Sequence, residues 1–254
     1  MWVVEHDFCP QYKRDLINKI PLIFDKSVYN FPELSEYLLK NISKIKETRY
    51  TVILVSLLLK YLQEKHNVLE TNLEVIKKQL IYSKKVTPDN FVPTVQEILH
   101  TLSRLSPNNR LVYLVYVVSG IRKVEGKYLL DNLTSLKCQQ LDGFVKVTMN
   151  YLRHNKNSYF CYLPSSIFGQ LVNNKQLSIG SLEAELKRKK LISIKYCRKW
   201  FYTKCIELGV PESIADYYQG RSANSVGSNH YLSRQLLADQ NYRLIVSNLN
   251  SFNL

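Results

Sequence analysis

The sequence predicts a mostly α-helical protein with a small antiparallel β-sheet, divided into two domains. The first observation is the helical spacing of apolar residues, with charged residues opposite, in stretches 46–66 and 69–82. The second is a pair of alternating stretches, 143–152 and 158–163, which is typical of a β-hairpin. The third is the polar segment 83–91, which contains a proline and has no periodicity. We therefore expect a helical bundle in residues 1–85 and a mixed domain in residues 86–254.

In the first domain, three or four short helices are predicted after residue 32. One of them carries Lys44, Lys46 and Arg49, which form a plausible face for binding phosphates. Residue by residue, a solvated run of charges explains the same pattern at least equally well.

In the second domain, local signals place the helix ends. The segment Thr-Pro-Asp at 87–89 is expected to cap a helix. A helix from Lys195 is expected to end at Gly209, and Pro211 opens a shorter helix that runs to about Tyr218. Other helices are predicted at 93–105, 111–122, 124–132, 164–172, 180–190 and 232–249.

Charge and cysteine content restrict the class of protein. The chain has 254 residues and a net charge of +14, most of it in the second domain. This balance favours a polyanionic partner, although a lysine-rich surface also keeps a protein soluble. The five cysteines form no Cys-x-x-Cys pair, so zinc is not expected. The longest apolar stretches, 51–59 and 111–118, are too short to span a bilayer. We expect a soluble cytoplasmic protein without membrane contact.

Two groups of residues have the chemistry of a phosphate site. Downstream, Lys195 and Arg198 lie one helical turn apart, Arg221 follows Gly220, and Tyr231 comes ten residues later. Upstream, Ser119-Gly120-Ile121-Arg122 ends an apolar helix, and Glu125 follows three residues on. Guanidinium groups hold a phosphate through planar, permanently charged forks, and a tyrosine hydroxyl is a candidate nucleophile. These groups together would form a phosphate clamp beside a nucleophile.

The order and spacing of these groups resemble the active site of tyrosine recombinases, the phage-type integrases. The forms Lys-x-x-Arg and Gly-Arg look like those of integrases from archaeal viruses and plasmids of the fusellovirus type. The resemblance spans roughly residues 90–240. It implies that the catalytic residues are Arg122, Lys156, Lys195, Arg198, Arg221 and the nucleophile Tyr231.

The resemblance also implies the role of each group. Lys156, in the hairpin turn, would be the general acid, with Arg153 and Lys146 as rivals. Lys195 would either take the phenol proton or hydrogen-bond the phosphate. Taking the proton requires a lowered pKa, and packing among arginines is expected to shift the pKa of Lys195 in that direction. Glu125 is expected to be structural, pairing a neighbouring arginine or capping a helix.

As a whole, the resemblance implies a site-specific DNA recombinase that integrates or excises an archaeal mobile element. Residues 1–85 would be a core-binding domain that clamps DNA, and residues 86–254 the catalytic domain. The partner would be a double-stranded attachment site, bound by a homotetramer that assembles on DNA, and the final helix looks suited to docking on a neighbouring protomer. No metal, ATP or other cofactor is expected, because a phosphotyrosyl bond conserves the energy of the broken bond. Further DNA contacts are predicted at Arg153, Lys187 and Lys189.

Several alternatives remain open at this point. Tyr217, Tyr218 and Tyr242 compete with Tyr231 at worse spacings. A catalytically inactive DNA-binding module is the second function, because residues 205–220 read passably as a helix-turn-helix. Two further alternative functions are a topoisomerase-like relative and a basic scaffold for protein partners. No motif favours the scaffold.

Overall fold

The structure is a computed structural model that describes residues 14–15, 17–18, 20–23, 31–46, 48–66, 70–80, 89–152, 157–174, 176–221 and 234–251. Residue contacts divide the chain into two compact units, Met1–Pro88 and Asp89–Leu254. The described residues are mostly helical and contain one three-stranded antiparallel sheet, which confirms the predicted fold class. Among the described helices, none combines the length and apolarity needed to cross a membrane.

The first unit contains short helices around a small apolar core. Leu38, Val55 and Leu59 are fully buried in it. Lys44, Lys46 and Arg49 are exposed, but they do not share one helix as predicted, because the backbone leaves the helix between Ile45 and Arg49. The helices are α1 (Ile20–Ile23), α2 (Phe31–Lys40), α3 (Ile42–Ile45), α4 (Arg49–His66) and α5 (Glu70–Gln79).

The second unit surrounds a central helix. Its elements are α6 (Val95–Arg104), α7 (Pro107–Ser119), α8 (Lys123–Asn132), β1 (Cys138–Gln140), β2 (Phe144–Tyr151), β3 (Ser158–Pro164), α9 (Ser165–Val172), α10 (Ile179–Arg188), α11 (Ile194–Glu207), α12 (Glu212–Tyr218) and α13 (Arg234–Ser251). From Val115 to Val118 every side chain of α7 is buried. A helix that is apolar all round belongs inside a core, and α7 packs against α6, α10, α11 and β3. The functional residues at its end are therefore attached to the most rigid part of the unit.

Helix α6 begins with a different cap from the one predicted. The Thr94 hydroxyl accepts a hydrogen bond from the Glu97 N–H, and the Glu97 carboxylate accepts one from the Thr94 N–H at 2.7 Å. This reciprocal capping box satisfies two free backbone donors of the first turn. Asp89, predicted to cap, instead pairs with lysines of α11.

The sheet has the order β1-β2-β3, with both pairs antiparallel. The predicted hairpin is present, and its register places Lys146 opposite Tyr162. Between Thr148 and Tyr151 the pairing is irregular, where Asn150 has a φ of +44°. Strand β1 was not predicted, because its three residues are all exposed and show no alternation.

Helix α13 packs against its own unit, and the predicted docking on a neighbour stays a prediction. Tyr242 is fully buried, and its hydroxyl lies 2.8 Å from the carbonyl oxygen of Val118 and 3.0 Å from that of Tyr162. The apolar face of the helix is thus used within the chain. A contact with a neighbouring protomer would use the other face, where Leu236 and Leu244 are exposed.

Candidate active site

Arg122 lies between two helices and is held by Glu125. At the end of α7, Gly120 has a φ of +63°, and a Cβ there would lie 2.4 Å from Cδ1 of Phe201. Only glycine fits this close approach of α7 and α11. Glu125, fully buried, accepts hydrogen bonds at 2.7 Å from the backbone N–H and from Nη1 of Arg122. The expected structural role of Glu125, pairing a neighbouring arginine, is confirmed.

Arg122 and Arg198 are joined through backbone carbonyls of two turns. Nη1 of Arg198 donates to the Gly120 carbonyl at 2.9 Å, and Nη2 donates to the Gln219 carbonyl at 2.8 Å. Nη1 of Arg122 donates to the Gly220 carbonyl at 3.2 Å. The turn after α12 therefore receives both guanidinium groups, although they are 76 residues apart in the sequence.

Gly220 allows this approach. Its φ of +57° is a left-handed conformation that favours glycine. A Cβ at this position would lie 2.7 Å from the carbonyl oxygen of Asn157 and 3.3 Å from Nη1 of Arg122. The glycine therefore brings the turn, the residue before β3 and Arg122 together.

Arg198 is a half-buried cation that lacks a carboxylate partner among the described residues. Desolvation, followed by the positive charges of Arg122 and Arg221, lowers its pKa to about 9. Glu125 pairs with Arg122, and Asp216 pairs with Arg221 at 2.9 Å, so both of these acids are already engaged. The cluster holds one cation more than these acids neutralise, which makes it a site for an anion.

Arg221 directly follows Gly220 but points to different partners. Its guanidinium pairs with Asp216 and lies over the ring of Tyr202, with its carbon 4.8 Å from the ring centroid. Nearly half of the Arg221 side chain is exposed. A phosphate contact by Arg221 would therefore compete with Asp216.

Lys195 is held by Asp89 on the surface of α11. Its Nζ lies 3.1 Å from the Asp89 carboxylate and 4.4 Å from the ring centroid of Tyr196. Lys199, one turn along the helix, pairs with the same carboxylate at 3.2 Å. The two lysines lower the pKa of Asp89 to about 2. Because sequence reasoning considered only charges near in the sequence, it missed Asp89, which is 106 residues from Lys195.

The pKa of Lys195 is shifted in the direction opposite to the one a base requires. Hydrogen bonding with Tyr196, and then with Asp89, raises it. Lys195 is therefore protonated at neutral pH, and the expectation that neighbouring arginines lower its pKa was wrong. Of its two predicted roles, the protonated ammonium suits only hydrogen bonding to a phosphate.

A cavity of about 840 Å³ opens in front of these residues. Its floor is apolar, with Ile121, Leu186 and Ile194, and Glu183 is the one acidic residue among the described residues that line it. Lys123 and Lys190 share this wall, although neither was among the predicted site residues. The cationic residues of the lining are Arg122, Lys123, Lys187, Lys190, Lys195 and Arg198.

Comparison with known proteins places the chain in a family. The sequence profile described as archaeal phage integrase matches residues 90–248, which is more than half of the chain. The chain belongs to the archaeal phage integrase family. Of the solved structures, the integrase is similar to the XerH site-specific recombinase bound to a difH substrate in a pre-cleavage complex. The TM-score is 0.40 and the identity 12%, over 95% of this chain and 89% of that chain. None of the curated proteins compared with it matches.

Three predicted site residues of the integrase, Tyr231, Lys156 and Arg153, lie outside the described residues. Of the rivals for the general acid, Lys146 is engaged elsewhere. It is 4% exposed and pairs with Asp239 of α13 at 2.5 Å. This burial leaves it unavailable to a leaving group in the cavity.

The two predicted DNA contacts near the end of α10 have different environments. Lys187 is exposed and lines the cavity. Lys189 donates to the Glu185 carboxylate at 2.7 Å and to the Arg104 carbonyl at 2.6 Å. The hydrogen bond from Lys189 is the largest cause of the lowered pKa of Glu185, about 2, so this pair is ionised at neutral pH. A phosphate contact by Lys189 would therefore compete with Glu185, and this predicted contact stays a prediction.

Proposed function

We propose that this integrase cleaves and rejoins DNA at a specific site through a covalent bond between Tyr231 and a 3′-phosphate. The observation that carries the proposal is the half-buried guanidinium of Arg198, which lacks a carboxylate partner among the described residues and lies beside Arg122. Such a cluster is stabilised by a bound anion. A phosphodiester has the matching charge and two non-bridging oxygens that the planar fork of a guanidinium group can bind together.

Arg122 and Arg198 would stabilise the charge that develops at phosphorus. In phosphoryl transfer, the protein contributes mainly by positioning and by electrostatic stabilisation of non-bridging oxygens. Both guanidinium groups are oriented in advance by the Gly120, Gln219 and Gly220 carbonyls, so they need no reorganisation when the substrate binds. Protonated Lys195 would add a hydrogen bond to the phosphate, and Arg221 would add another on release from Asp216.

In the covalent step, the Tyr231 oxygen bonds to phosphorus and the bond from phosphorus to the 5′-oxygen breaks. The phenol proton passes to solvent, because protonated Lys195 cannot accept it. The departing 5′-oxygen takes a proton from Lys156, the proposed general acid. Rejoining reverses these transfers with the 5′-hydroxyl of the exchanged strand. The reaction needs no external energy source, because one phosphoester bond replaces another.

The proposed function also includes a DNA target, DNA contacts by the first unit and an oligomer on DNA. The family match supports DNA integration or excision for an archaeal mobile element. The first unit would contact DNA through the exposed Lys44, Lys46 and Arg49. Four protomers would assemble on two attachment sites.

The helix-turn-helix alternative is disfavoured by the residues that α12 presents. Ile214, Ala215 and Tyr218 are buried, whereas Glu212 is exposed and Asp216 is partly exposed. An acidic outer face would repel the phosphates that flank the major groove. A binding function without chemistry would thus depend on the arginine cluster instead.

Covalent trapping tests the proposal directly. The protein is mixed with a pool of nicked duplexes of randomised sequence, in which the cleaved fragment diffuses away, and is then denatured in SDS. We expect a protein–DNA adduct, and sequencing of the captured DNA would identify the attachment site. A gel shift without any adduct would instead indicate a binding module.

Replacing Lys156 by alanine is expected to slow adduct formation by about 10²- to 10⁴-fold, because general acid catalysis typically contributes that much. A substrate with sulfur at the 5′-bridging position should restore the rate, since a thiolate leaves without a proton. The measurement is single-turnover cleavage of both substrates. Arg153→Ala is the control, and rescue of that variant instead of Lys156→Ala would assign the acid to Arg153.

Replacing Asp89 by asparagine is expected to tighten DNA binding by about two- to fivefold at low salt. The carboxylate competes with phosphates for Lys195 and Lys199, and exposed ion pairs of this kind are weak. Because the pKa of Asp89 is lowered to about 2, its stabilising pairing is lost only as the pH falls from about 4 towards 2. The competition is therefore fully present at neutral pH. Fluorescence anisotropy with a random-sequence duplex measures the effect.

The control for Asp89 is Asp131→Asn, which removes a carboxylate from another exposed lysine pair, with Lys127. It adds the same net charge outside the cavity. Equal tightening in both variants, or weaker binding of Asp89→Asn, would contradict a specific competition at Lys195.

A further inference from the structure

Lys190 adopts a backbone conformation that is unfavourable for lysine. Its φ is +52°, and it occupies the turn that ends α10. The Leu191 N–H donates to the Leu186 carbonyl at 2.9 Å, and the Lys190 N–H donates to the Lys187 carbonyl at 3.3 Å. This is the arrangement in which a helix usually ends in glycine, because a Cβ is disfavoured in the left-handed region. Folding alone would favour glycine at this position.

The side chain of Lys190 is exposed and belongs to two neighbouring clefts. It lines the 840 Å³ cavity with Arg122 and Arg198. It also lines a smaller cleft of about 440 Å³ with His100 and Gln96. Lys190 is therefore on the ridge between the arginine cluster and the surface of α6.

The charge of Lys190 is not neutralised by the described residues. None of their carboxylates lies within ion-pairing distance of Lys190 or of Lys187, whereas Lys123 pairs with Glu183 at 2.7 Å and Lys189 pairs with Glu185. The cavity wall thus presents two ammonium groups without acidic partners, next to a cluster that already has an excess cation. A lysine ammonium is a compact point charge that suits a single phosphate.

We propose that Lys190 binds a backbone phosphate of the DNA strand adjacent to the phosphate in the arginine cluster, with Lys187 beside it. The inference rests on the proposed function, because it takes DNA as the occupant of the cavity. The strand leaving the cluster carries a charge at every nucleotide, so its next phosphates meet the cavity wall. Lysine at a glycine-like position then has a role that offsets its conformational cost.

The decisive variant is Lys190→Gly, which removes the cation and the backbone strain together. We expect the midpoint of thermal unfolding to rise by about 2–4 °C, while affinity for a random-sequence duplex of about 30 bp falls by about three- to tenfold. The slope of log affinity against log salt should become shallower by about 0.9, the value for one lost phosphate contact. If Lys190 had only a structural role, its replacement by glycine could not both raise stability and weaken DNA binding.

Two further variants complete the test. Lys190→Arg keeps the charge and should keep both the affinity and the salt slope. Lys137→Gln removes an exposed lysine that does not line the cavity and should leave the slope unchanged. An unchanged slope in Lys190→Gly, or an equal loss in Lys137→Gln, overturns the assignment. The measured quantity is DNA binding, not cleavage. If the protein forms no covalent adduct but its DNA affinity depends on Lys190, this inference stands and the proposed chemistry does not.

Discussion

Replacing Tyr231 by phenylalanine is expected to abolish the SDS-stable adduct, with a loss of more than about 10³-fold, while DNA affinity stays within about twofold. The substitution removes only the hydroxyl oxygen that would bond to phosphorus. Phosphate contacts, which dominate affinity, are unaffected. The measurements are covalent trapping on the nicked duplex and anisotropy on the same DNA.

The competing tyrosines provide the controls. The Tyr218 hydroxyl donates to the Ala238 carbonyl at 2.7 Å, and the Tyr242 hydroxyl is held between two carbonyls in the core. Both residues are at most 2% exposed, so neither can reach a phosphate. Tyr217 is half-buried, and burial raises its pKa to about 12, which makes it a poor nucleophile. Tyr217→Phe should therefore keep the adduct. Persistence of the adduct in Tyr231→Phe, mapped to another tyrosine, would contradict the assignment.

Replacing Asp239 by alanine is expected to lower the free energy of unfolding by about 3–5 kcal/mol. The carboxylate accepts from Nζ of Lys146 at 2.5 Å and from the Tyr162 hydroxyl at 2.7 Å. Because Lys146 is 4% exposed, the substitution leaves a buried charge without its partner. The loss should also weaken the attachment of α13 to the sheet. Urea unfolding followed by circular dichroism measures it.

Asp131→Ala is the matched control for Asp239. The pair of Lys127 and Asp131 has the same separation, 2.5 Å, but its side chains are 66% and 55% exposed. Exposed pairs contribute about 0–1 kcal/mol, so this variant should change stability little. Similar losses in the two variants would mean that burial does not determine the strength of the Lys146 pair.

Most of the secondary structure could be predicted because its signals are local. The turns at Gly209 and Gly220 followed from glycine, and both residues have positive φ in the structure. The hairpin was predictable because the residues of stretches 143–152 and 158–163 alternate in the way typical of strands. Strand β1 could not be predicted in this way, because three exposed residues carry no pattern and pair only when β2 is present. The cap of α6 was predictable from the sequence, because Thr94 followed three residues later by Glu97 is the pattern of a capping box.

The candidate site could be predicted only as a set of residues. Spacing indicated Arg122, Lys195, Arg198 and Arg221, and in the structure Arg122, Lys195 and Arg198 line one cavity. The partners of these residues were not predictable, because Asp89, Gly120 and Gln219 reach α11 from distant parts of the chain. The roles of Tyr231 and Lys156 stay predictions.

The sequence by itself determined where helices and turns form and which residue types recur at the spacing of an integrase, because these properties depend on neighbours in the chain. The tertiary structure decided the electrostatics. It partly buried Arg198 without a carboxylate partner among the described residues, raised the pKa of Lys195 through Tyr196 and Asp89, and buried Lys146 in a pair with Asp239. The physical reason is that the charge state of a side chain depends on its solvation and on the charges within a few ångströms, and only the folded chain sets both.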